Sequence, residues 1–318
     1  MSATKSAAKR LARCLPAPVL SGLGHAAIWP LQKYLRYAPW ALGKKLLWNK
    51  LVSDLLWLES TAEARTFFDC KILVDPRDLC GRYIYYFGIW EPNLTNWISS
   101  RLKDGDVFVD VGANVGYFSL LAATLVGRGH VVAVEPTPRA FNMLQESSRR
   151  SHAVNVRAVN VAAWHEPSVL KIFSGVNLGM STLMSDWAAQ GKHSECGDVP
   201  AARLSDVLTP EEIRSTRVVK IDVEGAEWHV IQGMAELFEN CRDDLEVIVE
   251  VTPKLLAAEH HTADELLALF ARRGYRPYLL ENDYSPFVYC DRAVPRTPRP
   301  ITNLPAGSEQ ADIIFSRQ

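Results

Sequence analysis

The chain has 318 residues, 48% of them hydrophobic, and a net charge of −1. That length suits one large α/β domain with extensions or two modest domains, and the composition excludes global disorder. The near-balanced charge offers no footprint for nucleic acid, and no nucleic-acid partner is expected.

The balance is uneven along the chain. Residues 1–53 contain no Asp or Glu but nine Lys and Arg. Amphipathic patches around Trp29, Tyr34, Trp40 and Trp48 predict a basic helical extension over residues 1–60. We read it as packed on the main domain, with peripheral contact to an anionic membrane surface as the alternative. The stretch Cys14 to Leu35 is too interrupted by Pro16, Pro18, His25 and Pro30 to span a bilayer or to form the apolar core of a signal peptide. Six cysteines without CxxC spacing read as reduced thiols, so a cytoplasmic protein is expected, membrane-associated if the extension docks.

Residues 65–75 predict a short strand or hairpin arm. The aromatic run from Tyr83 to Trp97 opens a helix ending near Leu102, and Lys103-Asp-Gly-Asp106 predicts a tight turn. A regular alternation follows. Strands are expected at 107–111, 130–134, 154–161, 218–222 and 245–251, with helices at 116–125, 138–150, 203–208, 224–239 and 262–273. An added β arm at 169–173 leads into a glycine-bearing loop at 175–191, a candidate lid. Late strands are expected at 276–280 and 312–315, joined by a proline-rich stretch without helical pattern. This is the rhythm of a doubly wound, mostly parallel sheet with an antiparallel end. Residues 1–80 are assigned to the extension and 81–318 to the α/β domain.

In such sheets ligands bind outside the carboxyl ends of the strands. The first strand runs into Asp110-Val-Gly-Ala-Asn-Val-Gly116. Gly112 allows a tight turn, Gly116 a close approach at the start of the next helix, and that helix N-terminus offers N–H groups to an anion. A dinucleotide loop would carry a middle glycine; Asn114 stands near that place instead. Asp110 would repel a pyrophosphate. S-adenosylmethionine carries no phosphate, and its cationic end suits Asp110, directly or through water. Glu135 ends the second strand 19 residues after Gly116, where a carboxylate can accept ribose hydroxyls.

A second constellation is Lys220-Ile-Asp222-Val-Glu224-Gly225-Ala-Glu227-Trp-His229. Asp222 falls at the end of an apolar strand, facing the same crevice. Glu224 is expected to begin the following helix, where its charge suits the macrodipole.

Together these stretches resemble the FkbM family of methyltransferases. The resemblance rests on Asp106-Val-Phe-Val-Asp-Val-Gly-Ala-Asn-Val-Gly-Tyr-Phe-Ser119, Val134-Glu-Pro-Thr-Pro138 and Val219-Lys-Ile-Asp-Val-Glu-Gly-Ala-Glu227, followed by Gly233. It covers roughly residues 95 to 280, and Phe87-Gly-Ile-Trp-Glu-Pro92 is also similar. It implies a class I, Rossmann-like sheet of seven strands with the last antiparallel. It implies S-adenosylmethionine contacts from Asp110, Gly112, Asn114 and Glu135, with Asn160 and Ala162 placed by position near the adenine. It also implies a hydroxyl oxygen as methyl acceptor, on a sugar or secondary metabolite.

An aliphatic hydroxyl loses its proton only near pH ~15, on the scale of water, so a base should assist. Asp222 is the first candidate, with Glu224 and His229 next. Asp222 and Glu250 stand at two strand ends where magnesium could sit, but no third ligand suggests itself and no metal is assigned. Tyr83, Tyr85, Tyr86, Trp90 and Trp97 are read as core first and as acceptor-pocket lining second. Two rival readings remain: a nicotinamide-dependent oxidoreductase, disfavoured by Asp110 and Asn114, and a non-catalytic binding protein on the same fold.

Overall fold

A computed structural model describes residues 29–38, 43–48, 61–174, 181–182, 194–291 and 295–317. Most of the amphipathic extension and of the 175–191 loop lie outside them. The strands are β1 (Ala62–Arg65), β2 (Lys71–Val74), β3 (Val107–Val111), β4 (His130–Val134), β5 (Val156–Val159), β6 (Ala162–Trp164), β7 (Ser168–Ser174), β8 (Ser181–Thr182), β9 (Ser194–Arg203), β10 (Thr216–Ile221), β11 (Glu246–Val251), β12 (Arg276–Leu280), β13 (Arg299–Pro300) and β14 (Ala311–Ser316).

The main sheet has the order β13-β12-β14-β11-β10-β3-β4-β5. The pairs from β11 through β5 are parallel, and β14 lies antiparallel to both β11 and β12. The expected seven strands are present, and the two-residue β13 adds an eighth at the β12 edge. The strand order reverses where β3 meets β10, which places the switch-point crevice at their carboxyl ends.

The apolar runs face two cores. Val107, Val109 and Val111 enter one apolar cluster with Val247 and Val249, whereas Phe108 and Ile248 enter the other. This period-two alternation sets Asp110 on the same face as Phe108, toward the helix Tyr117–Leu125. Leu35 and Trp48 from the N-terminal stretch share the Phe108 cluster with Tyr83, Tyr86 and Trp97. Arg36, on the helix at 29–37, donates to the carbonyls of Tyr85 (2.8 Å), Tyr86 (3.0 Å) and Arg65 (2.7 Å). It thereby satisfies backbone oxygens at the end of the helix Leu79–Phe87. No described helix is long and apolar enough to cross a membrane.

Several boundaries differ from expectation. The helix expected from Tyr83 to Leu102 is two helices, Leu79–Phe87 and Pro92–Arg101. Gly88 ends the first at φ +75°, and Pro92 opens the second, where its missing N–H costs nothing. The helix expected over 224–239 begins only at Glu227 and divides into Glu227–Gln232 and Ala235–Asn240. At the division a Cβ on Gly233 would lie 2.1 Å from the Trp164 carbonyl oxygen. Strand β9 and the helix Pro253–Ala258 were not anticipated. β9 pairs with β6 and β7 in a second sheet, beyond the reach of local pattern.

One tertiary contact carries a pH consequence. Glu212 accepts from both Arg157 Nη2 (2.6 Å) and the Thr209 N–H (2.7 Å), and contacts His130 at 3.0 Å. Burial pushes its carboxyl upward, but Arg157, the backbone donor and His130 outweigh it and hold it below the ordinary glutamate range. A depressed folded pKa contributes stability above the unfolded value, about 4.3, and loses it as pH falls through the folded value. Glu212→Gln is therefore expected to lower Tm at pH 7 and to flatten the fall in Tm between pH 5 and pH 3. Parallel acid limbs for the two proteins in a thermal scan would refute this.

Candidate active site

A cavity of about 630 Å³ opens at the carboxyl ends of β3, β4, β10 and β11, a volume suited to a cofactor with a small acceptor. Gly112, Asn114, Glu135, Ala162, Asp222 and Glu224 all line it. The other expected site residues, Asp110, Gly116, Asn160 and His229, do not.

The first loop is shaped by its neighbours. Gly112 sits at φ +76°, and a Cβ there would fall 1.7 Å from the Asp222 carbonyl oxygen. The Gly112 and Ala113 N–H groups both donate to the Val134 carbonyl. Asn114, at φ +50°, donates its N–H to Glu135 Oε2 (2.8 Å), and the Thr137 N–H donates to Oε1 (2.8 Å). Two backbone donors thus fix the Glu135 carboxylate at the cavity wall. Gly116 caps the next helix at φ +91°, where a Cβ would meet Leu144 at 2.3 Å, so this glycine serves helix packing. Asn160 also acts indirectly, donating from Nδ2 to the Glu135 and Pro136 carbonyls.

Asp110 requires a correction. It is 1% exposed and turned into the sheet face, where Ser119 Oγ donates to it at 2.6 Å and Lys220 Nζ lies at 3.9 Å. The strand alternation that sets Phe108 in the core sets Asp110 there too, away from the cavity. Lys220, itself 4% exposed, is a buried charge beside the site to which the sequence assigned no role. Its ammonium bonds Asp222 Oδ2 at 2.9 Å and lies over the Phe118 ring. Burial opposes its charge, but Asp222, Asp110 and Glu91 outweigh burial and keep it protonated. Only a long apolar stem with a charged end, placed mid-strand, hinted at this role.

Glu224 does not begin a helix. It occupies a turn at φ +51°, three residues before the helix Glu227–Gln232 starts, and faces the cavity. Burial first, then the charges of Asp222 and Glu227, raise it to about 8. Glu227 instead closes the turn, accepting the Gly225 N–H at 3.0 Å. His229 is likewise corrected as a base candidate. It stacks on Trp164, faces His165 Nδ1 at 3.1 Å and Glu259 at 3.1 Å, and burial lowers its pKa. The late helix start turns position 229 to the β6 side.

One wall residue, Glu91, stands at a position to which the sequence assigned no role. Glu91 is 3% exposed, held at φ +41° between Trp90 and Pro92, and accepts the Tyr284 hydroxyl at 2.8 Å. Burial, then Asp222, raises it to about 7. The residues Phe87-Gly-Ile-Trp-Glu-Pro92 carried the signal: a helix stop followed directly by a helix start forces Glu91 into a tight, left-handed turn. Trp90 lines the cavity with it, while Tyr83, Tyr85, Tyr86 and Trp97 are core. Glu250, at the end of β11, faces Asp312 across the β11–β14 pairing, and burial with neighbouring carboxylates raises both well above the ordinary range. The expectation that no third carboxylate accompanies Asp222 and Glu250 also fails, because the turn brings Glu224 beside them.

Residues 110–277, more than half of the chain, match the profile of the Methyltransferase FkbM domain. The chain belongs to the FkbM methyltransferase family. It is 27% identical over 168 residues to "Hexuronic acid methyltransferase AglP" of Haloferax volcanii, covering 51% of this chain and 62% of that one. It is 32% identical over 163 residues to "31-O-demethyl-FK506 methyltransferase FkbM" of Streptomyces tacrolimicus, covering 43% and 62%. The chain thus spans less than two thirds of the length of these relatives. The crystal structure of methyltransferase FkbM from Methylobacillus flagellatus superimposes with a TM-score of 0.41 at 13% identity, over 67% of this chain and 44% of that one. The FkbM match contains the Gly112 loop, Glu135, the Asp222 turn and Glu250. Glu91, Tyr284 and Asp312 lie outside it, so part of the cavity wall is built by flanking segments.

Proposed function

We propose that this chain transfers a methyl group from S-adenosylmethionine to a hydroxyl oxygen of a small molecule or glycan, of the sugar or secondary-metabolite type. The observation that carries the reading is the meeting of two different walls in one cavity. On one side stand Gly112, Asn114 and the doubly anchored Glu135; on the other stand Glu91, Asp222, Glu224 and Glu250. The first wall suits a nucleoside without phosphates, with Glu135 toward the ribose. S-adenosylmethionine, when bound, supplies a methyl group on a sulfonium. The carboxylate wall suits that positive charge and leaves room for an acceptor alongside.

The residues of the second wall divide the proton chemistry. Asp222 is tied to Lys220, whose ammonium bonds its Oδ2 at 2.9 Å. Glu91 near 7 and Glu224 near 8 are matched to take a hydroxyl proton close to neutral pH. As the oxygen gains the methyl, its proton passes to one of these carboxylates, and the sulfur keeps the electron pair of the broken bond. The name of one relative, a 31-O-demethyl-FK506 methyltransferase, supports an oxygen acceptor.

The test is a thermal shift with S-adenosylhomocysteine against NAD. At 100 times its dissociation constant the first is expected to stabilise by about 2.7 kcal/mol, with no shift from NAD. Stabilisation by NAD alone would restore the oxidoreductase reading. No product on a panel of sugar and polyketide hydroxyls, despite binding, would favour a non-catalytic protein.

A further inference from the structure

Glu250 poses a problem that methyl transfer alone does not solve. The residue is 9% exposed and lines the cavity. Its one hydrogen-bonding contact among the described residues is the Tyr284 hydroxyl at 3.5 Å. That hydroxyl has a single proton, and Glu91 takes it at 2.8 Å. The nearby ammonium of Lys220 is directed to Asp222 and Asp110. Glu250 therefore points a buried carboxyl group into the cavity without a donor, and its ionised form is costly there unless a cation compensates it.

The surroundings define which cation fits. Asp222, Glu224 and Glu250 each offer an oxygen, and the three oxygens lie within 4.8 Å of one another. Oxygens bound at about 2.1–2.4 Å around one ion stand no more than about 4.8 Å apart. All three donors are carboxylates, with no thiol or imidazole, which selects hard cations over zinc or copper. They come from the ends of two hydrogen-bonded strands and the turn after one of them, so the sheet holds their spacing.

We propose that Asp222, Glu224 and Glu250 bind a divalent cation of the magnesium or manganese class on the acceptor side of the cavity. Three protein ligands leave coordination positions for water and for one acceptor oxygen. An acceptor hydroxyl bound there loses its proton more readily, and Glu91, outside the ligand set, is left to receive it. The place of the acceptor rests on the methyl-transfer reading; the binding of the cation does not.

The experiment uses the full chain, treated with chelator and then titrated with Mn²⁺ alone, with free Mn²⁺ followed by electron paramagnetic resonance. One ion is expected to bind per chain at sub-millimolar affinity and to be displaced by Mg²⁺. Glu250→Gln, which removes charge from a crowded acidic wall without changing shape, is expected to weaken uptake at least tenfold. Stabilisation by S-adenosylhomocysteine in the same variant reports that the fold is intact. No uptake at 1–2 mM Mn²⁺, or equal uptake by wild type and variant, overturns the proposal. Stabilisation by S-adenosylhomocysteine without Mn²⁺ uptake would leave the methyltransferase reading standing and reject the cation alone; the wall would then serve an ammonium group on the acceptor.

Discussion

Lys220→Met is expected to destabilise the protein by about 3–5 kcal/mol, because it removes the cation that compensates the buried Asp110 and the half-buried Asp222. Asp110 is 1% exposed, and Asp222 bonds the ammonium at 2.9 Å. Methionine nearly preserves the volume of the stem while removing the ammonium that lies over the Phe118 ring, so the loss reports charge rather than volume. Urea unfolding monitored by circular dichroism measures it. Lys220→Arg keeps the charge but must fit a larger planar head where the lysine is only 4% exposed, and is expected to recover only part of the loss. A methionine variant within 1 kcal/mol of wild type would show that Asp110 and Asp222 do not depend on Lys220.

Gly112→Ala is expected to cost about 2–5 kcal/mol and to weaken S-adenosylhomocysteine binding at least tenfold. Two effects add. An L-residue at φ +76° pays about 1–2 kcal/mol for its left-handed backbone. The new methyl would also fall 1.7 Å from the Asp222 carbonyl oxygen, a backbone atom that no rotamer change can move. Relief requires the loop after β3 to separate from the turn after β10, and these two segments form facing parts of the cavity. Gly105→Ala separates the effects: its φ is +91°, and nothing lies within 4 Å of the added carbon. That control should show the backbone cost alone, with cofactor affinity unchanged. Equal losses at both positions, by calorimetry and ligand titration, would deny that the Gly112–Asp222 contact matters.

Both experiments act on one junction, where β3 pairs with β10 and the strand order reverses. Its parts were visible in the sequence as two separate motifs. Their contact was not, because Gly112 and Asp222 are more than a hundred residues apart and meet only through strand pairing. The same holds for Lys220. Its position mid-strand is evident, but its partners are defined by which strand lies beside it.

The sequence by itself determined the alternating α/β architecture, since buried parallel strands must be short apolar runs and their crossovers amphipathic helices. It also placed Gly112, Asn114, Glu135, Ala162, Asp222 and Glu224 at strand ends that converge on one crevice, and all six line the cavity there. Only the tertiary structure decided the rest. It turned Asp110 inward, since strand alternation puts it on the face of Phe108. It moved His229 away, since a turn held by Glu227 delays the helix by three residues. It brought in Glu91 and Tyr284, which come from a helix junction and a C-terminal loop, and set Glu224 beside Asp222 and Glu250. Side-chain direction depends on the register and turn geometry of each segment, and local sequence leaves both open until the neighbouring strand is in place.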